Sequence, residues 1–306
     1  MPVPNFDDLL SRIESSRAKA RERDALEMSA REVHPQADLF LPATWGKQQR
    51  AVPNAIVRCG LVAVLEKGAE RLQLDRAEIA SLDGMRVEYT GKQWTSDEID
   101  VLMQLIHIGR ALPLGSLFVV TGHQMLQMLG WGRSDESYER VRCAINILID
   151  ATLRIRCDRP VKPHTKPLTF AGRFVKDVTI IGDEAHGGSR WQLAIDPKVL
   201  ALFDENLYTI IEWQRRQGLR SPMAKWLHLY YETHDEPHPL STPRLHALMG
   251  SRNQNMSSFR QTLKKAHQML MDKGLVASAT YDPVSDTHEV KHLRRISHAS
   301  VAALVA

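Results

Sequence analysis

The chain has 306 residues, of which 43% are hydrophobic and 25% charged, with a formal net charge of +4 and a pI near 9.0. That length allows one large domain or two of ordinary size, and the composition excludes fibrous and wholly disordered chains. No apolar run approaches the roughly 20 residues that cross a bilayer, so no membrane role is expected.

Residues 1–33 alternate charges ("RAKARERDALEMSARE") with few apolar anchors beyond Phe6, Leu9, Leu10 and Ile13. The pattern predicts a short helix and then a mobile arm. "HPQADLFLPATW" follows, with Leu39, Phe40 and Leu41 between Pro35 and Pro42, which rule out a continuous helix. Those side chains either plug a core or are kept for another protein.

In "VPNAIVRCGLVAVLEKG", Pro53 suits a first helical turn and Gly68 a C-terminal stop. "AEIASLDGMRVEYTG" alternates on either side of Asp83-Gly84, which predicts a β-hairpin with a tight primed turn. In "TSDEIDVLMQLIHIGRAL", Thr95 and Glu98 fit a capping box, and Ile99, Leu102, Met103 and Ile106 keep helical spacing.

From Gly115 the order reads short strand, short helix (about His123 to Leu129, ending at Gly130), turn, longer helix, strand. The longer helix turns Tyr138, Val141, Ile145 and Leu148 inward. The strand alternates Leu153, Ile155 and Cys157 with Arg154 and Arg156. The basic, proline-rich "RPVKPHTKP" then leads to "VKDVTIIG" as the expected return strand. Helix, turn, helix and a hairpin with a basic tip is the winged-helix order.

The order recurs. "SPMAKWLHLYYETH" is a helix with Pro222 in its first turn and Trp226, Leu229 and Tyr230 inward. "STPRLHALMGSRNQNMSSFRQTLKKAHQMLMDKG" gives a short helix from Thr242, a turn and a second helix, and "LVASATYD…THEVKHLRR" a strand pair. The expected fold is α+β and helix-rich: an N-terminal arm (1–45) and two tandem winged-helix domains (46–186 and 187–306), divided near "GDEAHGGSR".

Charge follows this division. From Arg190 onward there are 15 Lys+Arg against 11 Asp+Glu; between Leu240 and Lys273 the ratio is six to one, and between Arg133 and Lys176 ten to five. Two basic stretches point to two nucleic-acid-facing modules. In the last long helix Phe259, Leu263, Ala266 and Leu270 form an inward stripe, leaving Ser257, Arg260, Gln261, Lys264 and Gln268 outward. Such a face fits a major groove, with Arg260 and Gln261 reading base edges and Ser257 and Lys264 touching phosphates. Arg133, Ser134, Ser137 and Arg140 hold the equivalent positions in the first module, diluted by Glu136 and Glu139. Arg154, Arg156, Lys162 and Lys166 would reach phosphates from the wing. The competing reading of each set is a solvated basic face.

Cys59, Cys143 and Cys157 are an odd set without metal-ligand spacing, and Asp7 and Asp8 stand where an export signal carries cations; reduced thiols in a cytoplasm are expected. Phosphate-loop, dinucleotide, zinc-protease and nucleophile-elbow motifs are missing, so no catalytic residue, metal or cofactor is expected. "HDEPH" (His234 to His238) is broken by Pro237, which keeps the histidines off a shared helical face. His107 and His267 read as partly buried structural side chains.

"RAVPNAIVRCGLVAV" followed by "IASLDGMRVEYTGKQWTSDEIDVLMQLIHIGR" resembles the TrfA-type plasmid replication initiators. The likeness runs from about Leu39 to about Lys291 and is densest between Arg50 and Leu153. It implies two winged-helix domains that bind repeated duplex sites (iterons) at a plasmid origin. It also implies help in opening AT-rich DNA, including contact with the single strand, recruitment of the host helicase, initiator and replicase, and a monomer–dimer equilibrium. The first forty residues are dissimilar.

Bacterial sliding-clamp ligands commonly carry Gln-Leu-(Ser/Asp)-Leu-Phe. Gln36, Asp38, Leu39 and Phe40 match, with Ala37 in the second position. A Gln-x-x-Leu-Phe match arises by chance about once in twenty chains of this length. Its place on an arm before the first domain suits a tethered peptide; capping the first core is the alternative. The reading is a non-enzymatic origin-binding initiator on plasmid DNA in a bacterial cytoplasm. Its rivals are a sequence-specific transcriptional repressor and a non-enzymatic interaction scaffold.

Overall fold

Leu41 and Trp45 are both buried, with the Trp45 ring stacked on Phe203 at 6.2 Å. The first strand, β1 (Gln49–Pro53), pairs antiparallel with the distant β9 (Tyr208–Glu212). The structure, a computed structural model, describes residues 40–42, 45–65, 68–82, 84–157, 169–182, 190–204 and 207–293. Expectations for residues 1–39, for Lys162 and Lys166, and for the tract around them lie outside these residues.

The helix expected from Pro53 to Gly68 is one turn long, α1 (Asn54–Val57). Beyond Arg58 the backbone leaves helical geometry because Cys59 and Val62 bridge Ser81 and Trp94. Gly60 lies close against the C-terminal region, where an added Cβ would sit 3.1 Å from the Ala247 carbonyl. Tertiary pairing overrides local periodicity here.

The strands β2 (Gln73–Ile79) and β3 (Met85–Lys92) form the expected hairpin. Their pairing begins at Ile79 opposite Val87, so the loop is longer than the two-residue turn expected, and Ser81 bridges Cys59 instead. Gly84 has φ of 83°, which glycine adopts freely. Next, α2 (Ser96–Gly109) carries the full capping box: the Thr95 amide donates to Glu98 Oε2 at 2.6 Å. It is the central helix, buried along almost its whole length.

The unit β4 (Phe118–Thr121), α3 (Gly122–Leu129), α4 (Asp135–Asp150) and β5 (Thr152–Cys157) matches the expected order. Gly130 ends α3 in the left-handed conformation, and the Trp131 amide donates back to the Leu126 carbonyl at 3.0 Å, a Schellman-type stop. Leu153 and Ile155 point into the core while Arg154 and Arg156 face out.

The strand that returns beside β5 is β6 (Thr169–Gly172), not "VKDVTIIG". Phe170 and Phe174 are both buried with rings 5.7 Å apart, and seating Phe174 turns the chain out of the sheet. β7 (Val175–Ile181) therefore joins a second sheet, ordered β4-β8-β7, whose middle strand is β8 (Arg190–Ile195). The first sheet runs β2-β3-β5-β6. Because β8 pairs with β4 and β7, and β9 with β1, strands on either side of the expected division at 186/187 share sheets.

After a 3-10 turn (Pro197–Leu202) and β9 come the short helix α5 (Trp213–Gln217) and α6 (Pro222–Glu232). Then β10 (Leu240–Ser241), α7 (Thr242–Leu248), α8 (Met256–Asp272), β11 (Ser278–Asp282) and β12 (Thr287–Lys291) complete the described elements, with a β10-β12-β11 sheet. The described elements thus form a mixed α and β fold.

One continuous core runs through the described residues, from Leu41 to Val290. At its centre Arg216 Nε donates to Asp100 Oδ1 at 2.5 Å and Lys225 Nζ to Asp100 Oδ2 at 2.8 Å, tying α2 to α5 and α6. Burying three charged groups is tolerable only when they are paired and hydrogen-bonded, and Arg216 Nη1 also donates to the Lys225 carbonyl. Nearby Arg50 Nε donates to Gln104 Oε1 at 2.8 Å, and its guanidinium lies 5.5 Å from the Trp213 ring.

Candidate nucleic-acid interface

In the C-terminal unit Asn255 caps α8, its side chain accepting from the Ser258 amide at 3.0 Å. Phe259, Leu263, Ala266 and Leu270 are buried against the rest of the unit. That stripe fixes the rotation of the helix, so Ser257, Gln261, Lys264 and Gln268 are exposed as expected, and Lys265 and Ser258 with them. Gln268 Nε2 donates to Asp272 at 2.8 Å, within the helix. Lys264 and Lys265 carry no ion pair among the described residues.

Arg260 is placed differently. It is half-buried, and its guanidinium makes two bonds to the carboxylate of Asp286 in the β11–β12 turn, at 2.9 and 2.7 Å. Asp286 also accepts from Thr242 Oγ1 at 2.6 Å and Tyr281 Oη at 2.9 Å. Arg260 first, then Thr242 and Tyr281, hold this carboxyl well below the usual carboxylate range, although desolvation opposes them. Asp286 has φ of 51°, so a left-handed turn presents its side chain to α7 and α8 together. The hairpin is thereby locked to the two helices.

Behind this lock His267 and His288 are buried with rings 5.3 Å apart. His267 Nε2 meets Tyr231 Oη at 2.7 Å, and burial, then the neighbouring His288, push its pKa down to about 3. His107 is likewise a core side chain, lowered to about 4 by burial and then by Arg50 and Arg110. His234 Nδ1 lies 2.8 Å from the Tyr230 carbonyl at the end of α6. Among the described residues no group of three or more His, Cys, Asp or Glu is arranged to hold a metal ion.

In the first unit Ser134 caps α4, accepting from the Ser137 amide at 3.2 Å, and the two hydroxyls lie 3.0 Å apart with Ser137 buried. Both serines are used in the cap. Arg140 is bidentate to Asp97 in the first turn of α2, at 3.1 and 2.7 Å, with its guanidinium 4.0 Å from the Trp131 ring. Arg133 is exposed at the turn and has no ion partner among the described residues. On the sheet, Arg154 meets Glu88 at 3.3 Å, and Arg156 stands opposite Arg86. Of the clamp-like peptide, Gln36, Asp38 and Leu39 lie outside the described residues; Phe40 is 49% exposed and Leu41 only 2%.

The structure thus brings Ser257, Gln261, Lys264 and Gln268 onto one exposed face and pairs Arg260 and Arg140 with carboxylates of the same chain, Asp286 and Asp97. Sequence reading missed Asp286, Tyr281, Asp97 and Trp131 as their partners, and Lys265 beside Lys264. Only the Lys-Lys dipeptide at the edge of the polar face could have shown one of these beforehand.

The TrfA protein family model matches residues 13–290, nearly the whole chain, so the family likeness begins well before Leu39, within the first forty residues expected to be dissimilar. The chain belongs to the TrfA protein family. A plasmid replication initiator protein TrfA from Escherichia coli is 26% identical over 246 residues, covering 80% of this chain and 62% of the relative. The match thus spans less than two thirds of that TrfA relative's length. Among solved structures, domains 2 and 3 of RctB superpose with a TM-score of 0.51 at 12% identity, covering 78% of this chain and 95% of theirs, a likeness of fold. The Pi initiator protein, solved in complex with iteron DNA, gives a TM-score of 0.45 at 11% identity over 64% of this chain and 92% of that one.

Proposed function

We propose that this TrfA-family chain is a plasmid replication initiator that binds repeated duplex sites (iterons) at its origin. The observation that carries the reading is α8 itself. An apolar stripe pins one side, Ser257, Gln261, Lys264, Lys265 and Gln268 are exposed on the other, and the hairpin is fastened beside it through Asp286. A helix so presented fits the major groove, where Gln261 can read an adenine edge and the lysines contact phosphates. In this reading the two units are winged-helix modules, α4 and α8 being their groove helices and the hairpins their wings.

Arg260 and Arg140 serve first as struts in this proposal, and base reading rests on the residues beside them. Opening of the origin draws on binding energy and DNA deformation, with no step of catalysis by the chain. The tract from Gln36 to Phe40 is proposed as the replicase sliding-clamp ligand, consistent with Phe40 half-exposed ahead of the anchoring Leu41. Host helicase and initiator are the further partners expected of such an initiator.

The test is a footprint of the full chain on DNA surrounding its gene. Protection of direct repeats, lost on substituting Gln261 and Lys264 together, supports the reading. Equal binding to any duplex of that length contradicts it.

A further inference from the structure

The stretch 214–225, "QRRQGLRSPMAK", holds four cations and no acid. Two of the four are used inside: Arg216 and Lys225 share Asp100. Trp213 and Arg216 are the buried side of α5, so helical geometry turns Gln214, Arg215 and Gln217 outward, and Arg220 is exposed three residues beyond its end. Arg215 and Arg220 have no hydrogen-bond or ion partner among the described residues.

This connector is fixed against the first helix-turn-helix unit. The Met128 carbonyl, in the last turn of α3, accepts from Trp213 Nε1 at 2.9 Å and from Gln217 Nε2 at 3.3 Å. Gly130, at the turn that leads to Arg133, is so close that an added Cβ would stand 2.7 Å from Gln217 Nε2. On its other side the connector runs into α6, which packs along α8. It therefore spans from the turn of one unit to the helix that supports the reading helix of the other.

We propose that Arg215 and Arg220 form a third contact on the duplex, a phosphate-binding strip joining the footprints of the two helix-turn-helix units; this rests on the DNA-binding reading above. The contrast with the other arginines points the same way. Arg140, Arg154, Arg216 and Arg260 each have a carboxylate partner, whereas Arg215 and Arg220, like Arg133 beside the turn they span from, have none among the described residues. Because the connector is hydrogen-bonded to α3 and held by Asp100, the strip is positioned before DNA arrives and little ordering entropy is lost on binding.

The experiment uses the full chain and a labelled duplex carrying the origin repeats, titrated from about 50 to 200 mM salt. Each neutralised phosphate contributes about 0.9 to the slope of log K against log salt, so Arg215→Gln with Arg220→Gln should flatten the slope by about 1.8. Base preference and melting temperature should match the wild type. A control pair that removes the same charge elsewhere, Arg76→Gln with Lys198→Gln, should leave the slope within about 0.5 of wild type. Wild-type binding with an unchanged slope in the connector variant overturns this proposal alone, as does equal flattening in the control. Failure of the wild type to bind the duplex overturns the DNA reading and this proposal with it.

Discussion

Replacing Asp100 by alanine strands Arg216. The Arg216 side chain is 1% exposed, and without Asp100 it keeps one acceptor among the described residues, the Lys225 carbonyl at 2.8 Å. Lys225 loses the same partner, but its side chain is 17% exposed and can swing to water. Breaking a buried pair on one side costs about 3–5 kcal/mol, because the remaining charge is left uncompensated. In a folded unit of this size each kcal/mol moves the melting temperature by about 2–4 °C, so Asp100→Ala should lower it by roughly 6–20 °C. Calorimetry at neutral pH reads this directly. A drop under about 2 °C would refute the reasoning, since Arg216 would then have been reached by water without cost. Asp100→Leu with Arg216→Met removes both charges and should recover most of the loss.

Three further outcomes follow from the same geometry. His267 is held neutral, with a folded pKa near 3 against about 6.5 unfolded, so stability is intact above pH 7 and is lost as the unfolded chain takes up protons below it. About 2 kcal/mol should be gone by pH 5, and His267→Gln should flatten the pH dependence of denaturant melting; an unchanged profile in the variant contradicts the assignment. Leu41→Ala should cost about 2–5 kcal/mol and Phe40→Ala almost nothing, while a clamp pull-down should lose signal with Phe40→Ala; the reverse pattern would make Phe40 the core plug. Lys264→Ala should weaken every duplex alike and lower the salt slope by about 0.9, whereas Arg260→Ala should loosen the hairpin and lower the melting temperature. A selected-site assay showing relaxed preference at one base with no change in melting would return Arg260 to direct base reading.

What sequence could show depended on range. Thr95 and Glu98 lie three residues apart, Gly130 needs only its own φ, and the Phe259–Leu270 stripe repeats within one helix, so these were readable. Arg140 and Asp97 are 43 residues apart and Arg260 and Asp286 are 26 apart; their pairing depends on how helices and a hairpin dock, which no local pattern records. The short α1 has the same cause, since Cys59 and Val62 leave the helix for partners at Ser81 and Trp94. The exchange of "VKDVTIIG" for β6 beside β5 turns on the burial of Phe174, one side chain whose destination is set by the neighbouring sheet. The polar face of α8 was legible because amphipathic spacing fixes rotation, but which of its cations remain unpaired was not.

The most direct measurement is competition binding of the full chain at a fixed salt near 150 mM, with duplexes of equal length carrying either the repeats flanking its gene or the same bases scrambled. The account predicts a preference for the repeats of at least about a thousandfold, the lower end for specific over nonspecific sites, and its collapse when Gln261 and Lys264 are both replaced by alanine. Equal affinity for the two duplexes, or a preference that survives those substitutions intact, would contradict the assignment of α8 as the reading helix of an origin-binding initiator.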